Sequence, residues 1–245
     1  MARDLTALVG HVVEVGEPGE CTDALTEWLR PIAEERVCMT GRLTIALSGG
    51  QSPIQLFTQW RTEHTAAALH LDRWVIFSVD DRAVAAEDPA SNAGLIRREL
   101  LEPIHGTQPT FYPLDGGAED LTAAATAYGA LLDELLDHDD AGLPVLDVVI
   151  CGLGDDGNTA SLFPGSDALT VDDQSVVRAI APVAPVERLT LTFPVLNAAR
   201  HLAVFAPGAN KETALAETAA GTTPAARLRN SDQWWFIDRP VNEAP

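Results

Sequence analysis

Carboxylates set on glycine-rich turns are the residues of this chain whose types and spacing suit chemistry. Residues 152–158 read GLGDDGN. Gly152, Gly154 and Gly157 permit positive φ and close backbone approach, while Asp155, Asp156 and Asn158 place polar side chains on the same turn. A second group, Asp80, Asp81 and Arg82, follows the apolar run WVIFSV, and a third, SGGQSP at 48–53, follows LTIAL. A glycine turn between a strand and a helix points free backbone N–H groups and the positive end of a helix dipole outward, which suits a phosphate. Gly50 and the Ser52 hydroxyl are the expected contacts, and Pro53 is compatible with the first helical position. Each group also has a bland explanation, because Gly, Asp and Asn favour turns for local reasons and loop acids are commonly just solvated.

Such turns need strands and helices to hold them. Leu146 to Cys151 is an apolar run rich in β-branched residues, as in a strand buried on both faces of a parallel sheet. LTIAL, WVIFSV and HLAVFA repeat the pattern, with HVVEV and WWFID as outer strands and VVRAIA and ERLTLTF as further candidates. Helices are expected over Thr22–Val37, from IQLFTQW, over NAGLIRREL with Ser91 as cap, over Ala118–Leu136, and in PVLNAAR, KETALAETA and PAARLRNS. Thr159 is expected to cap a short helical turn, TASLF, stopped by Pro164 and Gly165. Strands alternating with helices predict an α/β fold: a mostly parallel, Rossmann-like sheet with helices on both faces, in one domain spanning residues 1–245. Ligands of such sheets bind outside the carboxyl ends of the strands, where all three polar groups fall.

Composition limits the partners. The chain has 245 residues, 46% of them hydrophobic, enough for a substantial core. Its 16 basic and 36 acidic residues give a formal charge of −20, which opposes binding to nucleic acid or anionic membranes. No run of 18 apolar residues and no secretory signal pattern occur, so a cytoplasmic protein is expected, acting as a monomer. Cys21, Cys38 and Cys151 are widely spaced and are expected to be buried free thiols. Lys211 is the sole lysine.

Three segments, LSGGQSP at 47–53, VDDRAVAAEDPASN at 79–92 and GLGDDGNTASLFPGS at 152–166, resemble in order the signatures of the 6-phosphogluconolactonase family. ERLTLTFPVLN, PGANKETAL and WWFID are also similar, so the resemblance spans nearly the whole chain. It implies a Rossmann-like domain, no metal or organic cofactor, and hydrolysis of 6-phospho-D-glucono-1,5-lactone to 6-phosphogluconate, a step of the oxidative pentose phosphate pathway. Its substrate is a small anionic sugar phosphate. By the resemblance Gly49, Gly50, Gln51 and Ser52 form the phosphate loop, Arg188 and Lys211 are its cationic partners, and Arg82 belongs to the substrate site. The TASLFPG run separates the chain from glucosamine-6-phosphate deaminase, which carries an AFNEPG-like run there.

Two departures stand out. Asp81 shortens the family's DER to DDR by one methylene, and Asn158 replaces the histidine that serves the family as general base. An amide can orient a water but cannot take its proton near neutral pH. The candidate bases are then carboxylates, Asp156 first and Asp80 second, with backbone N–H groups around Gly154 to Gly157 for the oxyanion and Asn158 positioning water or substrate. Three readings stand: a lactonase with an altered base, a sugar-phosphate isomerase or deaminase, and a non-catalytic sugar-phosphate binder.

Overall fold

All five residues of Leu43–Leu47 are buried, and the pleat divides them between two apolar layers: Leu43, Ile45 and Leu47 face one, Ala46 the other. The same alternation recurs in Val148–Gly152, with Val148 and Ile150 opposite Val149 and Cys151, and in His201–Ala206, with Ala203 and Phe205 opposite Leu202, Val204 and Ala206. Strands that are apolar on both sides need cover on both sides.

The computed structural model describes residues 5–238. In chain order they form β1 (His11–Val15), α1 (Pro18–Thr40), β2 (Leu43–Leu47), α2 (Pro53–Trp60), α3 (Glu63–Ala68), β3 (Trp74–Ser78), β4 (Asp80–Arg82), α4 (Asn92–Ile96) and β5 (Thr110–Tyr112). There follow α5 (Leu121–Leu135), β6 (Asp137–His138), β7 (Pro144–Val145), β8 (Val148–Gly152), β9 (Val176–Ile180), β10 (Glu187–Leu191), α6 (Phe193–Ala198), β11 (His201–Ala206), α7 (Glu212–Ala219) and β12 (Gln233–Asp238). Seven strands make the central sheet in the order β1-β12-β11-β8-β2-β3-β5, every neighbouring pair parallel. Helices α1, α2 and α4 bring Leu25, Leu29, Phe57, Trp60 and Ile96 to one face; α5, α6 and α7 bring Tyr128, Leu132, Leu196 and Leu215 to the other. This is the expected Rossmann-like α/β architecture.

From the central pair the chain diverges: β2 leads toward β3 and β5, and β8 toward β11 and β12, with β1 at that edge. Their following loops part company, and parting loops leave a crevice at the carboxyl ends of the strands. At the opposite end buried Asp147, just before β8, ties the pair together. It accepts the Thr44 N–H at 2.9 Å, lies 2.7 Å from Arg36 and 3.3 Å from Arg200, and its own N–H meets the Thr44 hydroxyl at 3.0 Å.

Several local expectations are corrected. VVRAI and ERLTL are strands, but they pair antiparallel with each other, and ERLTL pairs antiparallel with β4, in a separate three-stranded sheet, β4-β10-β9. DDR is thus a strand and not a loop. TASLF forms no helical turn: the Thr159 hydroxyl donates to the Gly152 carbonyl at 3.0 Å, Ala160 adopts φ +51°, and Thr159 bridges Leu162. PAARLRNS supplies only a short 3₁₀ turn, Pro224–Arg227, because Asn230 turns its amide onto the Asn197 and Ala199 carbonyls at the end of α6. Helix α1 starts earlier than Thr22, since the Glu20 carboxylate accepts the Gly16 and Glu17 N–H groups. Helix α5 starts later than Ala118, since Asp120 caps Thr122 and Ala123. Cys38 is exposed, whereas Cys21 and Cys151 are buried. The short strands β5, β6 and β7 were not expected.

Removing one partner of a buried ion pair is costly, because the other charge keeps its desolvation penalty. Asp147→Ala is expected to lower unfolding free energy by about 3–5 kcal/mol, measured by denaturant titration. A loss below about 1 kcal/mol would mean that Arg36 and the Thr44 N–H find water instead.

Candidate active site

The crevice at the diverging strands is a cavity of about 650 Å³. Its wall takes Ser48 to Pro53 from the loop after β2, Asp80 and Arg82 from β4, Asn92 from α4, Cys151 to Asp155 and Asn158 from the end of β8 and its loop, and Asn210 and Lys211 from the loop before α7. Residues from five separate elements of the chain therefore meet there.

The glycine loop is shaped by steric need. Gly50 has φ +96°, a conformation side chains rarely adopt, and a Cβ on Gly49 would stand 2.1 Å from the Asn92 Oδ1. Pro53 opens α2 with Ser52 just before it, while Gln51 is exposed. The buried Ser48 hydroxyl, also on the wall, has no hydrogen-bond partner.

Asp80 is 7% exposed, and burial pushes its carboxyl above the usual carboxylate range, opposed by the Ser161 hydroxyl and the charges of Arg82 and Arg188. Ser161 donates to Oδ2 at 2.7 Å and the Asn92 amide approaches Oδ1 at 3.3 Å. Asp81 points the other way and holds the start of α4, accepting the Asn92 and Ala93 N–H groups at 2.6 and 2.8 Å. Arg82 Nη1 donates to the Ala90 carbonyl at 2.8 Å and to Asn92 Oδ1 at 2.6 Å.

Arg188 sits directly across the β4–β10 ladder from Arg82. It is 5% exposed, its Nε and Nη1 have no hydrogen-bond partner, and burial, with the Arg82 charge beside it, lowers its pKa. It is not on the cavity wall. Lys211 is on the wall, with Nζ 2.6 Å from Asp155 Oδ1, which also accepts the Asn210 amide at 3.0 Å. The lysine holds the Asp155 carboxyl below its ordinary range.

Asp156 is exposed and outside the wall; its Oδ1 accepts the Asn158 N–H at 3.0 Å and closes the turn. Asn158 does line the cavity, but its amide donates to the Ala160 carbonyl at 2.9 Å and its Oδ1 crowds Gly154. The N–H groups of Gly154 and Gly157 are spent inside the loop, on the carbonyls of Asn158 and Gly154. None of the six histidines lines the cavity. Among the described residues no three His, Cys, Asp or Glu side chains gather in metal-holding geometry, and no helix is long and apolar enough to cross a membrane.

Ser48, Asn92, Ser161 and Asp155's hold on Lys211 escaped the sequence reading. For Ser161 and Asn92 the signal was present, since both lie inside the motif segments; the partner of Ser161, Asp80, is far away along the chain, while those of Asn92 lie within its own segment.

A family model described as glucosamine-6-phosphate isomerases/6-phosphogluconolactonase matches residues 16–236. The chain belongs to that family. A 6-phosphogluconolactonase of Synechocystis sp. is 34% identical over 249 residues, covering 99% of this chain and 98% of its own. One from Nostoc sp. is 34% identical over 180 residues, covering 74% and 72%. The solved 6-phosphogluconolactonase of Trypanosoma brucei superposes with a TM-score of 0.82 at 29% identity, covering 94% of this chain and 97% of that one. Within the family fold, the space beside Gly49 is already filled by Asn92. Gly49→Ala is therefore expected to displace the Asn92 amide and lower kcat/KM by about tenfold or more, roughly 1.4 kcal/mol of transition-state stabilisation. Steady-state kinetics on the folded variant checks this, and an unchanged kcat/KM would show that Asn92 yields without cost.

Proposed function

We propose that this protein hydrolyses 6-phospho-D-glucono-1,5-lactone to 6-phospho-D-gluconate, as its family membership and near full-length similarity to 6-phosphogluconolactonases support. The observation that carries the reading is one cavity holding a glycine loop, the chain's sole lysine, and a buried carboxylate beside an arginine.

The phosphate is assigned to Gly49, Gly50, Gln51 and Ser52, with Lys211 exchanging its Asp155 partner for a phosphate oxygen. Arg188 contributes through its field beside Arg82, whose residue lines the cavity; two adjacent arginines are tolerable when an anion arrives to share them. Asp80 is assigned as the base in place of the histidine. Its raised pKa strengthens it as a proton acceptor, and it must be ionised to act, so activity rises with pH through an inflection above the usual carboxylate range. It takes a proton from water as the water oxygen bonds to the lactone carbonyl carbon. The carbonyl oxygen carries the negative charge until the carbon–oxygen bond of the ring breaks, and the ring oxygen leaves with the proton that Asp80 took from water, which returns Asp80 to its ionised form. Asn158 positions the water or substrate, and Asp156 keeps the shape of its loop.

The test is a lactonase assay with the spontaneous rate subtracted, on the wild type, Asp80→Asn and Asp156→Asn. Turnover lost by about 10²- to 10⁴-fold in Asp80→Asn and largely kept in Asp156→Asn is expected. The reverse ranking makes Asp156 the base, and no turnover in the wild type leaves the protein a sugar-phosphate binder.

Asn158→His restores a group with a pKa near 6.5 on the cavity wall. It is expected to raise kcat about tenfold or more with KM little changed, since the gain lies in the transition state. A flat or lowered kcat in the folded variant would mark Asn158 as part of a mechanism adapted to it.

A further inference from the structure

Asp80 and Arg82 stand two apart on β4, so their side chains leave the same face of the strand. An arginine arm is long enough to fold back onto a carboxylate so placed, and a buried carboxylate next to a guanidinium would ordinarily close into an ion pair. Here the two do not touch. Asn92 lies between them, its Oδ1 accepting Arg82 Nη1 at 2.6 Å and its Nδ2 donating to Asp80 Oδ1 at 3.3 Å and to the Asp80 carbonyl at 3.0 Å. Only this orientation of the amide satisfies both neighbours, because a guanidinium has no acceptor and a carboxylate no donor.

We infer that Asn92 is a positioning residue of the lactonase site, an amide spacer that keeps the Asp80 carboxylate and the Arg82 guanidinium apart so that each is free for substrate. The spacer is firmly seated. Asn92 is 2% exposed, its N–H is bound by Asp81 at 2.6 Å, and it opens α4 behind the Ser91 cap. Gly49 carries no side chain where that amide lies. The glycine loop, β4 and α4 therefore meet on one carboxamide.

The charged and titratable groups around Asp80 are Arg82 and Asp81 on its own strand, Arg188 on β10 and the Cys151 thiol on β8, with the Ser161 hydroxyl bonded to it. Of these, Arg82 is the one Asn92 restrains. Taking the amide away lets Arg82 close on Asp80 and favours the carboxylate. Turning it into a carboxylate places a like charge beside Asp80 and favours its protonated form.

The inference rests on Asp80 being the base, and the experiment separates the two. pH profiles of kcat/KM are measured for the wild type, Asn92→Ala, Asn92→Asp and Asp80→Asn. The acid-side inflection is expected to move to lower pH in Asn92→Ala, with KM raised several-fold as Arg82 turns from the cavity. It is expected to move to higher pH in the near-isosteric Asn92→Asp, each shift being on the order of one pH unit. A purely structural role would lower activity without moving the inflection in opposite directions. If Asp80→Asn abolishes the inflection but both Asn92 variants leave it in place, or shift it the same way, the spacer role is overturned and Asp80 stands. If Asp80→Asn retains the wild-type inflection, the base assignment falls and the spacer role falls with it. Should Asn92→Ala fail to fold, the direction of the shift in Asn92→Asp decides.

Discussion

β2 and β8 are neighbours whose chains continue to opposite sides of the sheet, and the site depends on that divergence. A parallel sheet pairs its backbone groups strand by strand, so its loops are where unpaired N–H groups, hydroxyls and carboxylates can face a ligand. Only between diverging loops is there room for one. Asp147 secures the far end of the same pair with two arginines and a backbone N–H. The central strands are thus pinned at one end and opened at the other.

The second, small sheet serves the site as much as the first. By pairing β4 with β10 it sets Arg188 beside Arg82 and brings Asp80 into a buried position that Ser161 can reach. Burial makes this carboxylate reluctant to ionise, while the arginine pair keeps its ionised form within reach. On a protein of net charge −20, such a pair is a local reversal of sign where an anion is drawn in.

Much of this was legible in the sequence. Unbroken apolar runs ending in glycine or aspartate located the central strands, and the three motif segments marked the walls of the cavity. What was not legible is pairing at long range. Nothing local in ERLTL distinguishes an antiparallel strand from another member of the parallel sheet, so Arg188 could be assigned a role but not a place. Asp156 is the natural candidate base from its position next to the motif's departure at Asn158; what the sequence did not show is that its Oδ1 accepts the N–H two residues on, a common use of aspartate in a turn. Thr159 likewise bonds backward to Gly152 and starts no helix.

The contact between Asp155 and Lys211 bears on how the cavity behaves between turnovers. The side chain of the lysine is 14% exposed and that of its carboxylate 72%, so the anion is the movable member. On the phosphate role proposed for Lys211, this tethered carboxylate can stand in for a departing phosphate and step aside for the next. Ligand exchange then swaps one anion for another without ever leaving a bare ammonium in the pocket, and small inorganic anions from solution meet a seat already taken.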